Sequence, residues 1–299
     1  MWVQQYSQVE GQLEWRANDN IPPASLLIAS PYDPEARMSI KRQTAWIGSK
    51  VHVTETCEQD RPHLIIHVET TPATTQDMEV TPQIHQALAD KQLLPSDHLL
   101  DTGYVDGPHL VSSQQQYGIR IVGPVRVDPS WQAKAGQGFD AASFQIEWAS
   151  KTVTCPQGHT SRKWKLTQDR GGPEVIRVEF GKADCLACPA RSLCTTAASN
   201  PRQLTLRPQA QYEALQATRQ LQTTQAFKEE YALRAGVEGT LSQGIRAFGL
   251  RQARYLGLAK THLQHVFIAT ALNVTRLLAW LDDVPFSSTR TSRFAALAP

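Results

Sequence analysis

Residues 50–68 read KVHVTETCEQDRPHLIIHV, and the fold is decided here. Lys50–Val53 alternates polar and apolar side chains, the pattern of a half-buried strand, whereas Leu64–Val68 is a short continuous apolar run, the pattern of a strand buried on both faces. The polar CEQDRP between them is turn material. Downstream of Pro72 a helix is expected from about Thr81, with Ile84 and Leu88 spaced for one face. His98–Tyr104 (HLLDTGY) then reads as a short strand running into an acid and a glycine, Pro108–Tyr117 as a helix and Gly118–Val125 (GIRIVGPV) as a further strand. Two strands joined by a short turn and followed by strands alternating with helices give an α/β fold, a mixed sheet with flanking helices.

Working outward, residues 1–30 are irregular around Pro22 and Pro23, with a short strand at Ser25–Ala29. From Arg126 to about Pro208 the chain is polar and holds four of its five cysteines, which reads as an insertion. Helical periodicity returns from Pro208 to about Glu238 and again from Gln252 to Asp283, and the tail SSTRTSRFAALAP reads as disordered. The expected organisation is therefore 1–125 for the first part of a core, 126–207 for the insertion, 208–284 for a helical part of the core and 285–299 for the tail.

The 299 residues are 41% hydrophobic and 19% charged, the composition of a globular protein of one or two domains. No apolar run is long enough to span a bilayer and no secretory signal opens the chain, so a cytoplasmic protein without membrane contact is expected. The near-neutral balance of 30 Lys+Arg against 28 Asp+Glu hides a gradient: residues 1–100 hold 7 against 13, and residues 201–299 hold 12 against 6. A basic C-terminal third fits an anionic partner such as DNA, or simply a solvated helical surface.

An odd cysteine count in a reducing compartment favours metal or free thiols over disulfides. Cys155, Cys185, Cys188 and Cys194 follow the spacing C-x29-C-x2-C-x5-C. A Cys-x2-Cys turn presents two thiolates to one ion, and two more soft ligands complete a tetrahedron around structural Zn²⁺. His159 is an alternative ligand, and strands at Trp164–Thr167 and Val175–Phe180 would form a ribbon between the two halves. Ordinary reduced cysteines in a core are the competing reading. Cys57 is assigned no role.

Asp101 ends a strand at the sheet edge where ligands collect, although an aspartate there can also merely cap the next turn. Tyr231, Arg234 and Glu238 lie at offsets 0, 3 and 7, on one stripe of a helix. Such a stripe is poor core material. Gly236 and Gly239 beside the acid cost a helix about 1 kcal/mol each, so close approach to the backbone is expected.

The stretch YALRAGVEGTLSQGIR, residues 231–246, resembles the Tyr-x2-Arg-x3-Glu-x6-Lys signature of DDE transposases from bacterial insertion sequences. SPYDPEAR at 30–37, TAWIGSKVHVTETC at 44–57, HLLDTGY at 98–104 and GLRQARYLGLAKTHLQH at 249–265 resemble further blocks of that family. The resemblance implies a ribonuclease H-like sheet interrupted by a Cys-rich, zinc-ribbon-like insertion. It implies DNA cleavage and strand transfer with Mg²⁺ or Mn²⁺ held by three acids, of which Asp101 matches the second and Glu238 the third. Two hard ions need oxygen ligands converging from separate elements. Tyr231 and Arg234 would contact the DNA backbone, and Arg246, Arg251, Arg254 and Lys260 would extend that track. DNA ends and target are the implied partners, with a homodimer working on paired ends.

Two positions depart from the pattern. Ile245 stands where the family has its lysine, and no acid matches the first one, which lies in a strand upstream of SPYD; Asp33, in an irregular Tyr-Asp-Pro segment, is the only nearby candidate. The chain is thus expected to be the C-terminal part of a transposase, lacking the first strand and inactive alone. A non-catalytic transposase-derived DNA-binding protein and a structural zinc module are the alternatives.

Overall fold

The computed structural model describes residues 4–41, 43–58, 60–136, 138–169 and 172–284. The expected tail at 285–299 lies outside the described residues. Helices and several small sheets form a mixed α/β structure that divides into two compact units. One comprises residues 1–94 and 229–299, the other residues 95–228.

In the first unit, β1 (Tyr6–Val9) and β2 (Gln12–Trp15) form a hairpin whose two turn residues, Glu10 and Gly11, both have positive φ. That is the twist a two-residue hairpin demands. The central sheet is β3 (Arg37–Lys41), β4 (Thr44–Glu55) and β5 (Ile65–Pro72), all antiparallel. The long β4 pairs with β3 over Thr44–Gly48 and with β5 over Ser49–Glu55. The apolar run at 64–68 lies within or beside β5, and Ile65 and Val68 are buried as its composition requires. Helix α1 (Asp77–Asp90) opens on a capping box between Gln76 and Glu79 and buries Val80, Ile84 and Leu88 around Ile66.

The second core of this unit joins Ile65, Val68, Leu250, Ile268, Ala269 and Leu272. It packs the sheet against the C-terminal helices.

The second unit begins with β6 (Asp97–Leu99), α2 (Gly107–Tyr117) and β7 (Arg120–Val122), a parallel strand pair joined by its crossover helix. Asp106 caps α2 by accepting from the His109 amide at 3.0 Å, Pro108 fills the first turn, and Gly118 ends the helix at φ +69°. The remainder comprises α3 (Trp131–Ala135), the β8 (Gln145–Glu147) and β9 (Thr152–Thr154) pair, and the sheet β10 (Lys163–Gln168), β11 (Glu174–Glu179) and β12 (Gln203–Leu206), with α4 (Lys182–Leu186) and α5 (Arg191–Cys194) between β11 and β12. Val153, Ile176, Val178, Leu204 and Leu206 with Phe144 and Phe180 give this cysteine-bearing region a core of its own. The α6 helix (Gln209–Leu221) follows, and the boundary between units falls in α7 (Gln225–Ala232). Two helices complete the first unit, α8 (Ala235–Phe248) and α9 (Leu258–Leu281).

Candidate functional site

Glu238 sits in the first turn of α8 with 73% of its side chain exposed, and its Oε1 lies 3.3 Å from the Arg234 guanidinium. Arg234, 22% exposed, also lies over the Tyr231 ring at 6.0 Å. The three residues of the expected stripe are therefore neighbours, but not on one continuous helix. Tyr231 lies in the last turn of α7, which ends at Ala232, and Leu233 and Arg234 form a break before α8. Bonds from Arg234 N to Tyr231 O (3.1 Å) and from Val237 N to Arg234 O (3.2 Å) span three residues and tighten the break into 3₁₀-type turns. The side chains consequently stay on one side of the chain. The periodicity was readable; the interruption was not, since Ala-Leu-Arg-Ala contains no breaker.

Sequence reasoning missed the residues that fix α8. Glu55, at the end of β4, has a side chain only 6% exposed and pairs at 2.9 Å with Arg276 of α9. The Thr240 hydroxyl donates to the same carboxylate, and Arg276 also donates to Thr240 and, at 2.9 Å, to the His63 carbonyl. A Cβ on Gly236 would lie 3.4 Å from Glu55 Oε1, so the close approach expected at this glycine is made by a buried carboxylate. Gly239 has open space around its missing Cβ. Thr240 faces the sheet, and Glu238, two residues earlier and hence about 200° round the helix, faces solvent. At Gly244 a Cβ would meet Leu250 at 3.2 Å and Leu272 at 3.5 Å, which is how closely α8 lies on α9.

Arg246, Arg251, Arg254 and Lys260 are all exposed, along the end of α8, the loop after it and the start of α9. Gly249 turns this loop at φ +65°, with its own amide and that of Leu250 (3.1 Å) both donating to the Gly244 carbonyl at the helix end. Asp33 is engaged elsewhere. Its Oδ2 accepts from the Gly257 amide at 3.0 Å and its Oδ1 from Glu35 N at 3.0 Å, while Glu35 accepts from Leu258 N at 2.6 Å. Two acids of SPYDPEAR thus satisfy the amide donors at the start of α9 and complement its dipole. Gly257 is required by φ +89° and by Glu35, which would lie 3.1 Å from a Cβ there.

Asp101 belongs to the second unit. It follows β6 and, exposed, caps the 3₁₀ turn Thr102–Tyr104 by accepting from the Thr102 amide at 2.8 Å. The strand ends beneath it are locked by Gly123, where any Cβ would overlap the Leu100 carbonyl oxygen and stand 2.9 Å from Val105 Cγ2. Asp101 and Glu238 present the hard oxygen donors a magnesium ion needs. Among the described residues, however, no group of three or more His, Cys, Asp or Glu side chains is arranged to hold a metal.

Cys155, Cys185, Cys188 and Cys194 are all reduced and all line one cavity of about 30 Å³, with His159 and Arg202 on its wall. The turn CPQGH closes through Cys155 N to His159 O (2.9 Å) and Gly158 N to Cys155 O (2.8 Å), with Gly158 at φ +82°. Opposite it, Arg191 donates to the carbonyls of Cys185 (3.2 Å), Ala198 (3.2 Å) and Asn200 (3.0 Å), folding the following loop back on the cluster. Buried Gln132 donates to the Cys194 carbonyl at 2.9 Å. Burial pushes the Cys194 thiol up, opposed by Arg202 and reinforced by Cys185, Cys155 and Cys188. The β10–β11 ribbon expected between the two halves is present, with β12 added to it. The sulfurs converge on the cavity without closing to metal-bonding geometry.

No helix of the described residues is long and apolar enough to cross a membrane. No curated protein and no solved structure matches the chain. Residues 154–278 match the family model described as transposase DDE domain. The match runs from the cysteine cluster through the Tyr231–Arg234–Glu238 array to α9, and Asp101 lies before it. The likeness to a transposase DDE domain thus covers residues 154–278, the part of the chain that holds the cysteine cluster and the Tyr231–Arg234–Glu238 array.

Proposed function

We propose that the protein serves DNA transposition of a bacterial insertion sequence, in the cytoplasm, by metal-dependent phosphodiester cleavage and strand transfer on a ribonuclease H-like core. The observation that carries this reading is the Tyr231–Arg234–Glu238 array on an exposed helix start inside the matched domain. Mg²⁺ or Mn²⁺, when bound, supplies Lewis-acid stabilisation of the oxygens exchanged at phosphorus. Asp101 and Glu238 are the acids this chain offers for it, two of the three that the chemistry uses, and residues 1–299 alone are therefore expected not to cut DNA. Arg234 holds the Glu238 carboxylate in place by ion pairing and, with Tyr231, faces the phosphate backbone. Arg246, Arg251, Arg254 and Lys260 extend that basic track. Paired transposon ends call for two copies of the chain.

In the same reading the four cysteines hold one structural Zn²⁺. Four thiolates of matching softness lining a cavity the size of a single small guest support it. Closing the cavity around an ion requires only that side chains already facing it draw inward.

Duplex binding titrated against salt tests the interface. Each of Arg246→Ala, Arg251→Ala, Arg254→Ala and Lys260→Ala should lower the slope of log K against log salt by about 0.9. Glu238→Ala should leave that slope unchanged. Affinity that is flat with salt, or unmoved by all four substitutions, would refute the assigned track.

A further inference from the structure

Helix α9 is apolar on both sides. Its inner face lays Ile268, Ala269 and Leu272 on the sheet, together with buried Thr261, Gln264 and His265. The opposite side carries Leu263, Phe267, Thr270, Val274, Leu277 and Leu281, and the five apolar members are 53, 65, 53, 42 and 61% exposed in that order. At 100° per residue all six fall within about 40° of one line along the helix. A helix apolar all round is a buried helix, so this outer stripe is covered in the working protein. No helix among the described residues is long and apolar enough to cross a membrane, and an uncharged stripe offers nothing to phosphates.

We propose that this stripe is the contact between two copies of the chain, packed as an antiparallel pair of α9 helices. The spacing carries the argument. Successive positions are 4, 3, 4, 3 and 4 residues apart, the seam by which two helices interlock knobs into holes. That spacing reads the same in both directions, so a twofold axis beside residue 272 sets Leu263 against Leu281, Phe267 against Leu277 and Thr270 against Val274. Each of these meets its counterpart in the partner twice. Charge fixes the direction: Lys260 and Asp282 flank the two ends of the stripe on the same side, about 40° apart. Antiparallel packing brings each lysine near the partner's aspartate on one flank of the seam, whereas parallel packing places the two lysines on opposite flanks at one end and leaves neither with an acid opposite it. The seam is about 27 Å long. With its flanking residues it offers about 600–700 Å² of apolar surface per copy, so a pair buries about 1,300 Å², inside the range of specific interfaces.

This inference deepens and rests on the two-copy reading above, and DNA does not enter its test. Sedimentation velocity of the full chain should show a species of twice the 33.2 kDa chain mass at micromolar concentration. Phe267→Asp and Val274→Asp, both at exposed positions, should each weaken association at least about a hundredfold while leaving the melting temperature of the monomer in place. Lys260→Glu should weaken it several-fold, and adding Asp282→Lys should restore it. A dimer that survives both aspartates overturns this interface and leaves the two-copy reading standing. A wild-type chain monomeric up to about 100 µM, as expected if another segment of the chain covers the stripe, overturns the interface, while failure of two copies to assemble on paired-end DNA would overturn the two-copy reading itself.

Discussion

The buried pair of Glu55 and Arg276 is the most exposed point of the account to experiment. Glu55 lies 6% and Arg276 15% exposed at 2.9 Å separation, and the same carboxylate accepts from Thr240. Replacing Arg276 by Met keeps the stem but leaves a desolvated carboxylate with only a hydroxyl and solvent-poor surroundings. Breaking such a pair costs about 3–5 kcal/mol, whereas exchanging both partners for apolar residues is often close to neutral. Because the chain has two units, a single global unfolding transition is a poor reporter. Amide hydrogen exchange of peptides from α8 and α9 is the better one. Each 1.4 kcal/mol is a factor of ten, so Arg276→Met should speed exchange in both helices by a hundredfold or more, with β10–β12 unaffected. The double variant Glu55→Leu with Arg276→Met should recover most of the protection. Acceleration below tenfold in Arg276→Met, or a double variant no better than the single, would refute the claim that this network fixes the helix bearing Glu238.

Other outcomes follow from named groups. His265 is 5% exposed, and burial together with His262 lowers its pKa from 6.5 to about 4. Its neutral form is thus favoured in the fold, its stability contribution is full above pH 6.5 and is lost as the pH falls toward 4; His265→Gln should flatten acid destabilisation of the first unit over that window, measured as exchange in α9. Removing the cap at α9 with Asp33→Ala or Glu35→Ala should cost about 1–2 kcal/mol each, read as faster exchange of the first α9 turn, and equal exchange in wild type and variants would contradict the capping role. Metal analysis of the purified chain should find one zinc per molecule, and Cys188→Ser or a chelator should release it and loosen β10–β12; a zinc-free protein with unchanged melting would leave only packed thiols there.

Much of the fold was legible because the signals were local. The run at 64–68 announced a buried strand, and the segment from Pro108 to Tyr117 a helix, which the structure forms as α2. The Cys-x2-Cys turn and its flanking ribbon were equally plain. What remained hidden depends on partners far apart in sequence. Glu55 reads as an ordinary strand-end acid until Arg276, 221 positions later, is brought onto it. Asp33 looks like loose turn material until the start of α9 arrives 224 positions on. Gly236 showed the clearest partial signal: its cost within a helix predicted a close approach, but nothing local could say that the approaching group was Glu55 rather than a ligand.

Strand cleavage by the protein expressed with all coding sequence in its reading frame tests the central claim most directly. Wild type, Asp101→Asn and Glu238→Gln are compared on transposon-end DNA with Mg²⁺ or Mn²⁺, beside residues 1–299 alone. The account predicts that either substitution abolishes cutting while leaving DNA binding in place, and that residues 1–299 by themselves do not cut. Full activity in either variant would contradict it.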